Sequence, residues 1–147
     1  MERFLNRYSP DVYALLRIIA GLMFALHGMQ KLFGWPGGKP PVPIASLMGL
    51  AGLIEVIGGL MIAFGFLAGS AAFIASGEMT FAYFIAHAPH GFFPILNQGE
   101  VPVLYAFLFL YIATQGSGIW SADALIRPRS ANHRPPNIRP LRSQRSA

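Results

Sequence analysis

The sequence predicts an all-α integral membrane protein that folds as a four-helix transmembrane bundle. Hydrophobic residues make up 54% of the 147-residue chain and charged residues only 12%, whereas charged residues make up about 25% of a typical soluble domain. The mean hydropathy is +0.48. Four long apolar stretches are separated by segments rich in proline and glycine, residues that interrupt helices. These observations predict one membrane domain, residues 1–126, followed by a basic tail, residues 127–147.

The first predicted span covers residues 11–33, which is long enough to cross the hydrocarbon core of a bilayer. The short polar segment before it, residues 1–10, gives the N-terminus some likeness to a signal peptide. However, Arg17 interrupts the apolar core, and no small-residue cleavage site follows it. We therefore expect this helix to be retained as a membrane span.

The other three spans are predicted at residues 44–66, 70–88 and 101–120. The second follows Gly34–Pro43, a segment with four prolines and three glycines that cannot continue a helix. The connection between the second and third spans is very short, so these two helices must be adjacent and antiparallel. Small residues in the second span should let a neighbouring backbone approach closely; they are Gly49, Gly52, Gly58 and Gly59.

Four spans place both termini on the same side of the membrane. Six of the 11 basic residues are arginines of the tail, which contains no acidic residue. Together with Arg3 and Arg7 they predict that both termini are cytoplasmic, because basic residues accumulate on that side. We expect the tail to be disordered, since it has little to bury. Its expected partner is the anionic lipid of the bilayer and not nucleic acid, because it has no aromatic side chain for base stacking.

Several chemistries are excluded by the residues present. The chain has no cysteine, so it forms no disulfide and supplies no thiolate to a metal. Gly116-x-Gly118 is not a nucleotide-binding loop, because no strand precedes it; Ser121 and Asp123 there are better interpreted as helix caps or surface contacts. Three of the four histidines, His27, His87 and His90, are candidates for a metal site but lack its spacing, and we predict no metal ligand.

Charged residues follow one face of the first span. At 100° per residue, Arg17, Gly21, Phe24, Gly28 and Lys31 fall in one narrow stripe, with His27 on its flank. The opposite face consists of isoleucine, leucine, methionine and phenylalanine. This pattern predicts a helix with one side packed against protein and the other against lipid.

Three ionisable residues lie well inside the predicted spans: Arg17, Glu55 and Glu78. At a helical rise of about 1.5 Å per residue they lie roughly 9, 16 and 12 Å from the cytoplasmic boundaries, close enough in depth to pair. One interpretation is a proton-linked or polar-ligand site inside the bundle, because ionisable groups within a membrane usually serve a function. The other is a structural clasp in which an Arg–Glu pair fixes the helix register.

A second polar cluster is predicted at the outer ends of the spans; it comprises His27, Lys31, His87, His90, Asn97 and Glu100. One interpretation is capture of an anionic or quinone-like head group by His27 and Lys31. The alternative is interfacial anchoring, in which the Lys31 ammonium group reaches the membrane surface.

Four segments of the chain resemble the DoxX family: LLRIIAGLMFALHGMQKLFG, GLIEVIGGLMIAFGF, EMTFAYFIAHAPHGFFPILNQGE and GSGIWSAD, in this order between about Leu15 and Asp123. The resemblance implies a small four-span protein of the bacterial inner membrane. It also implies redox-enzyme subunits as partners, since relatives include subunits of a thiosulfate:quinone oxidoreductase and of membrane complexes linked to oxidative-stress defence. The positions that match are Arg17, His27, Gly28, Lys31, Glu55, Glu78, His87, Asn97 and Glu100.

The leading hypothesis is a DoxX-like subunit of, or accessory to, a quinone-linked oxidoreductase, with quinone as its ligand. Glu78 and His87 are the predicted catalytic residues, because a group that handles protons is needed beside a quinone. The predicted ligand-binding residues are Arg17, His27, Lys31, Glu55, Asn97 and Glu100. Two alternatives stay open: a non-catalytic scaffold or partner-binding subunit, and a small-solute or proton-coupled transporter, which would need a homo-oligomer because four spans are few for alternating access.

Overall fold

The computed structural model describes residues 2–38 and 40–126, and in this part of the chain every regular element is helical. The all-α class is therefore confirmed. The predicted disordered tail, residues 127–147, lies outside the described residues. The α-helices are α1 (Glu2–Asn6), α2 (Ser9–Phe33), α3 (Leu47–Phe64), α4 (Ala68–Ala82), α5 (Pro94–Asn97), α6 (Glu100–Gln115) and α7 (Ala122–Ile126).

The four long helices α2, α3, α4 and α6 correspond to the four predicted spans, but only two of them have the full length of a membrane span. Among the described helices, α2 (25 residues) and α3 (18 residues) are long and apolar enough to cross a bilayer. Helix α4 has 15 residues and continues as a π-helical turn, Tyr83–His87, followed by a 3-10 turn, Ala88–His90.

Helices α2, α4 and α6 begin one or two residues before the predicted limits, whereas local backbone chemistry places the start of α3 and the ends of α3 and α6 inside them. Helix α3 begins three residues later than predicted because the Ser46 hydroxyl caps it, accepting a 3.0 Å hydrogen bond from the Gly49 amide. It ends at Phe64 because Gly65 adopts a left-handed conformation, with φ of 71°. Helix α6 ends at Gln115 and not at residue 120, because Gly116 (φ 72°) leaves helical geometry.

Helices α2 and α3 pack backbone against backbone through two pairs of glycines. A Cβ atom on Gly28 would lie 2.5 Å from the Gly52 carbonyl oxygen, and one on Gly59 would lie 2.6 Å from the Gly21 carbonyl oxygen. The two glycines of α2, Gly21 and Gly28, are seven residues apart, and so are the two glycines of α3, Gly52 and Gly59. The order of the pairs is reversed between the helices, as an antiparallel arrangement requires. The prediction of close approach is thus confirmed for Gly52 and Gly59, whereas a Cβ on Gly58 would meet nothing within 4 Å.

The next most extensive contacts are those of α4 with α6 and of α3 with α4. Alanines on α4 pack against large side chains of α2, α3 and α6, and the Ser76 hydroxyl donates a 2.8 Å hydrogen bond to the Ala106 carbonyl. The buried cluster comprises Ala20, Phe24, Ile62, Ala71, Ala72, Ala75, Met79, Tyr105, Ala106, Phe109 and Ile112. This core lies beside the cleft described below, and Phe24, Met79 and Tyr105 belong to both.

Candidate functional site: a cleft with polar groups from four helices

A cleft of about 670 Å³ lies among α2, α3, the α4 helix with its π-helical turn, and α6. Most of its lining is apolar. Large side chains on its walls are also exposed at the protein surface, such as Leu50 (54% exposed) and Phe73 (67% exposed). A membrane-resident molecule could therefore reach the cleft from the side of the bundle, with its apolar part against these walls.

Five of the eight predicted site residues line this cleft together: His27, Lys31, Glu55, Glu78 and His87. They come from three consecutive helical segments, α2, α3 and α4 with its π-helical turn. Part of the helical stripe on the first span, with His27 on its flank, thus converges with the two acidic positions of the second and third spans on one site.

Lys31 and Glu55 form an ion pair in which the glutamate is buried and the lysine is partly exposed. The Lys31 Nζ atom lies 2.6 Å from Glu55 Oε1, and the side chains are 24% and 3% exposed. The tight contact of Gly28 with Gly52 favours this pairing. Lys31 and Glu55 each follow one of these glycines by three residues, and side chains lean toward the N-terminus of their own helix, so both lean back toward the same contact. The second carboxylate oxygen of Glu55, Oε2, has no hydrogen-bond partner among the described residues.

Glu78 has neither a cation nor a hydrogen-bond partner in the described part of the chain. Both of its carboxyl oxygens are buried, although the residue as a whole is only half-buried. A buried polar group without a partner is costly, and such groups in native proteins often have a functional explanation. Glu78 is therefore the residue of this cleft that most needs a ligand or a proton.

His87 reaches the cleft because of the π-helical turn. It follows Glu78 by nine residues, which in a regular α-helix would place it about 180° away, on the opposite face. Residues in a π-helical turn advance by a smaller angle, so His87 is rotated back toward the cleft. Its Nδ1 atom lies 2.9 Å from the Asn97 carbonyl oxygen, which holds the ring in place.

Arg17 does not pair with a glutamate, so that sequence prediction is wrong. The fully buried guanidinium donates hydrogen bonds to the carbonyl oxygens of Ile62 (2.5 Å), Ala63 (2.8 Å) and Trp120 (2.8 Å). The first two belong to the last turn of α3, where carbonyl groups lack helical partners and a positive charge is favoured. Arg17 is therefore a helix-capping residue and does not line the cleft.

Asn97 and Glu100 also lie outside the cleft lining. The buried Asn97 side chain binds backbone groups at both ends: Nδ2 donates to the Gly91 carbonyl (2.5 Å), and Oδ1 accepts from the Gly99 amide (2.8 Å). Asn97 thus shapes the loop that positions His87. Glu100 is exposed in the first turn of α6. His90 is exposed as well, and residues 2–38 and 40–126 contain no group of three or more potential metal ligands.

The comparisons with known proteins place this architecture in a family. The DoxX family model matches residues 12–88. The chain belongs to the DoxX family. A protein of Haemophilus influenzae (strain ATCC 51907 / DSM 11121 / KW20 / Rd), described as an uncharacterized protein, is 42% identical over 126 residues, which cover 81% of this chain and 93% of that relative. No solved structure gives a significant match to the chain.

Membership of the DoxX family, together with the apolar helices α2 and α3, indicates a membrane protein. The DoxX match covers all but the first three residues of α2, and the whole of α3, α4 and the π-helical turn. It therefore contains all five of the predicted site residues that line the cleft, whereas Asn97 and Glu100 lie beyond it.

One residue of the cleft in this DoxX protein was missed by the sequence reasoning. Tyr105, from α6, lines the cleft, and its ring lies 6.1 Å from the His27 ring in an edge-on arrangement and 5.2 Å from Phe109 in a stacked one. The available signal was a tyrosine within the fourth predicted span, because a buried tyrosine usually contributes to packing and also finds a hydrogen-bond partner for its hydroxyl group.

The closing segment GSGIWSAD of the DoxX chain has a structural role that the sequence indicated only in part. The Asp123 carboxylate accepts a 3.0 Å hydrogen bond from the Leu67 amide at the start of α4, and the Asp123 amide donates a 3.1 Å hydrogen bond to the Gly65 carbonyl. Asp123 is thus a cap, as proposed from sequence, but it caps a helix that lies 56 residues earlier. These hydrogen bonds hold the turn between α3 and α4 in place. The turn lies at the C-terminal end of α3, whereas the Ser46 cap lies at its N-terminal end.

Proposed function

We propose that this DoxX-family protein serves a membrane redox system by binding a quinone in the cleft, as a subunit of or accessory to a quinone-linked oxidoreductase. The observation that supports the proposal is the convergence of Lys31, Glu55, Glu78, His27 and His87 on a largely apolar cleft of about 670 Å³. A quinone has a polar ring and an apolar chain, and the cleft offers polar groups and apolar walls of matching chemistry.

The roles of the residues follow from their contacts. A bound quinone supplies the redox chemistry itself, so the protein needs only to bind it, orient it and handle protons. Lys31 and Glu55 form a fixed ion pair at the site. Glu78, with no other partner among the described residues, and His87, held by the Asn97 carbonyl, are the groups that would exchange protons with a ligand.

The proposal includes a four-span arrangement in the bacterial inner membrane, with both termini in the cytoplasm. Helices α4 and α6 are short, but they carry large apolar side chains on their outer faces, including Phe81 (70% exposed) and Phe107 (70% exposed). In each of α2 and α3, only 39% of the most apolar 18-residue stretch is buried. The core helix of a soluble protein is mostly buried. Lipid would cover these exposed surfaces.

Mass spectrometry of organic extracts tests the proposal. Protein purified in mild detergent should carry a stoichiometric quinone. Gly77 provides a variant that fills the cleft without replacing a polar group, because it lines the cleft and a Cβ there meets nothing within 4 Å. Gly77→Leu should therefore remove the quinone from folded protein, whereas Thr80→Leu, an exposed change on the same helix outside the cleft lining, should retain it.

The result also separates the proposed function from the two other roles that the sequence leaves open. A quinone absent from well-folded wild-type protein, with reproducible co-purification of an enzyme, would contradict the proposal and favour a scaffold. Substrate-dependent pH change in proteoliposomes made from quinone-free protein would favour a transporter.

A further inference from the structure

The buried polar atoms of the cleft that lack a partner among the described residues are hydrogen-bond acceptors. Three carboxyl oxygens are buried with no hydrogen bond to a described residue: Oε2 of Glu55 and both oxygens of Glu78. The Lys31 ammonium group donates one hydrogen bond to the other oxygen of Glu55, Oε1, at 2.6 Å and forms none with these three oxygens. An ionised carboxylate can only accept hydrogen bonds, and a protonated Glu78 would still keep one acceptor oxygen beside its single donor.

His87 adds a fourth acceptor. Its Nδ1 atom faces the Asn97 carbonyl oxygen at 2.9 Å. A carbonyl oxygen cannot donate, so Nδ1 must carry the hydrogen. In the neutral ring, this leaves the lone pair on Nε2. The hydrogen bond to Asn97 thus fixes the tautomer in which the remaining nitrogen of His87 accepts a hydrogen bond.

The two oxidation states of a quinone differ in the hydrogen bonds that they can form. The oxidised ring presents two carbonyl oxygens, which only accept hydrogen bonds, whereas the reduced quinol presents two hydroxyl groups that donate them. Buried acceptors left unpaired by a ligand carry a large penalty, and a site built to bind a hydroxyl group discriminates strongly against an analogue that lacks it. We propose that the cleft selects the reduced quinol over the oxidised quinone, through hydroxyl donation to Glu78 and to His87 Nε2.

The inference rests on the proposed function, because it specifies which form of the proposed ligand the same cleft prefers. It concerns binding alone. Glu78 and His87 act here as acceptors of hydrogen bonds from the two ring hydroxyls, while the chain of the quinol lies along the apolar walls formed by residues such as Phe73 and Ile54.

Anaerobic calorimetric titration of the full-length protein in detergent micelles tests the selection. The probes are decylubiquinol, decylubiquinone and the dimethyl ether of decylubiquinol, with titrations into empty micelles subtracted. We expect the Kd of the quinol to be at least about tenfold lower than that of the quinone, which corresponds to about 1.4 kcal/mol. The dimethyl ether, which keeps the ring and the chain but has no donor, should bind no more tightly than the quinone.

A variant and a matched control make the test specific to the acceptors. Glu78→Gln replaces a carboxyl oxygen with an amide that donates, so the ratio of the two affinities should fall toward one through weaker binding of the quinol. Asp11→Asn removes one carboxylate from the first turn of α2, outside the cleft lining, and should leave the ratio unchanged.

Each other outcome has a separate meaning. Equal or tighter binding of the quinone, or a dimethyl ether that binds as well as the quinol, would overturn the selection while leaving quinone binding in place. If neither probe binds to folded protein, as judged by its circular dichroism and its size-exclusion profile, the proposed function itself fails and this inference fails with it.

Discussion

Arg17 is among the largest fully buried side chains of the described residues, and its hydrogen bonds all go to backbone carbonyl groups. Two of these carbonyls end α3, and the third belongs to Trp120 in the closing segment. Arg17 therefore ties three distant parts of the chain together. A buried cation of this kind is stabilised by the dipole of the helix end as well as by the hydrogen bonds themselves.

Replacement of Arg17 by leucine should destabilise the protein strongly. The change leaves three carbonyl groups without their donor, and an unsatisfied buried group costs about 1–3 kcal/mol. Thermal unfolding in detergent, followed by circular dichroism, should show a markedly lower midpoint. Arg7→Leu, at an exposed position, is the control and should have little effect.

A double variant distinguishes carbonyl capping from an ion pair with a glutamate. If Arg17 neutralised an acid, Glu55→Gln or Glu78→Gln would restore stability to Arg17→Leu. The observed hydrogen bonds predict no such rescue, and a recovered midpoint would contradict the capping role of Arg17.

For Lys31, in contrast to Arg17, removal of a glutamate charge should restore stability, because the partner of Lys31 is a carboxylate. Lys31→Met leaves Glu55 buried without its cation, and removal of one member of a buried ion pair typically costs about 3–5 kcal/mol. Adding Glu55→Gln removes the stranded charge and should recover a large part of the lost stability. Unfolding midpoints of the single and double variants, measured in the same detergent, would show this recovery; its absence would argue against the Lys31–Glu55 pair.

At the scale of secondary-structure elements, the contact between α2 and α3 depends on individual glycines and not on small residues in general. Gly58 and Gly59 are neighbours in α3 and both are buried. A Cβ on Gly59 would lie 2.6 Å from the Ala25 amide nitrogen and the Gly21 carbonyl oxygen, whereas one on Gly58 would meet nothing within 4 Å.

This difference predicts opposite effects for the same substitution at adjacent positions. Gly59→Ala should force the two backbones apart and cost about 1–3 kcal/mol, as overpacking does. Gly58→Ala should be neutral, or stabilising by up to about 1 kcal/mol, because alanine favours the helix more than glycine does. Thermal unfolding of the two variants in parallel checks the prediction, and equal losses would show that the helices do not approach at Gly59.

The π-helical turn is the second element on which the site depends. Tyr83 at its start donates a hydrogen bond to the Phe92 carbonyl, and His87 at its end contacts the Asn97 carbonyl. The turn and the loop 88–99 thus hold each other in position. π-helical turns are rare in proteins, and those that occur are often found at functional sites. The position of His87 on the cleft agrees with this tendency.

At the scale of the whole molecule, the exposed apolar side chains of all four long helices favour a bundle surrounded by lipid. The lack of cysteine makes the proposed topology directly testable, because single cysteines can be introduced without background. Suitable exposed positions are Pro41 and His90 in the two proposed outer loops, and Asn6 and Ala124 at the proposed cytoplasmic end.

We expect a membrane-impermeant maleimide to label the Pro41→Cys and His90→Cys variants in intact spheroplasts. The Asn6→Cys and Ala124→Cys variants should react only after permeabilisation, because arginine-rich termini are retained in the cytoplasm. The reverse pattern would invert the topology. Labelling at residue 41 without labelling at residue 90 would show that α4 and α6 do not both cross the membrane.

The sequence determined the helical class, the approximate positions of the four long helices and the DoxX family. Apolar runs interrupted by proline and glycine are local signals, so they indicate helices without knowledge of their neighbours. The same local reasoning selected Lys31, Glu55 and Glu78, because an ionisable residue within an apolar helix is unusual wherever that helix packs. It also found His27 and His87 beside them.

The tertiary structure alone decided which of these groups become partners. Depth within a span could not distinguish Arg17 from Lys31 as the partner of Glu55, because the choice depends on how α2 is rotated and how closely it approaches α3 at Gly28 and Gly52. The position of His87 depends on a π-helical turn that breaks the regular period of 100° per residue. Which side chains become partners depends on packing between segments that are distant in the sequence. A local sequence pattern contains no information about that packing.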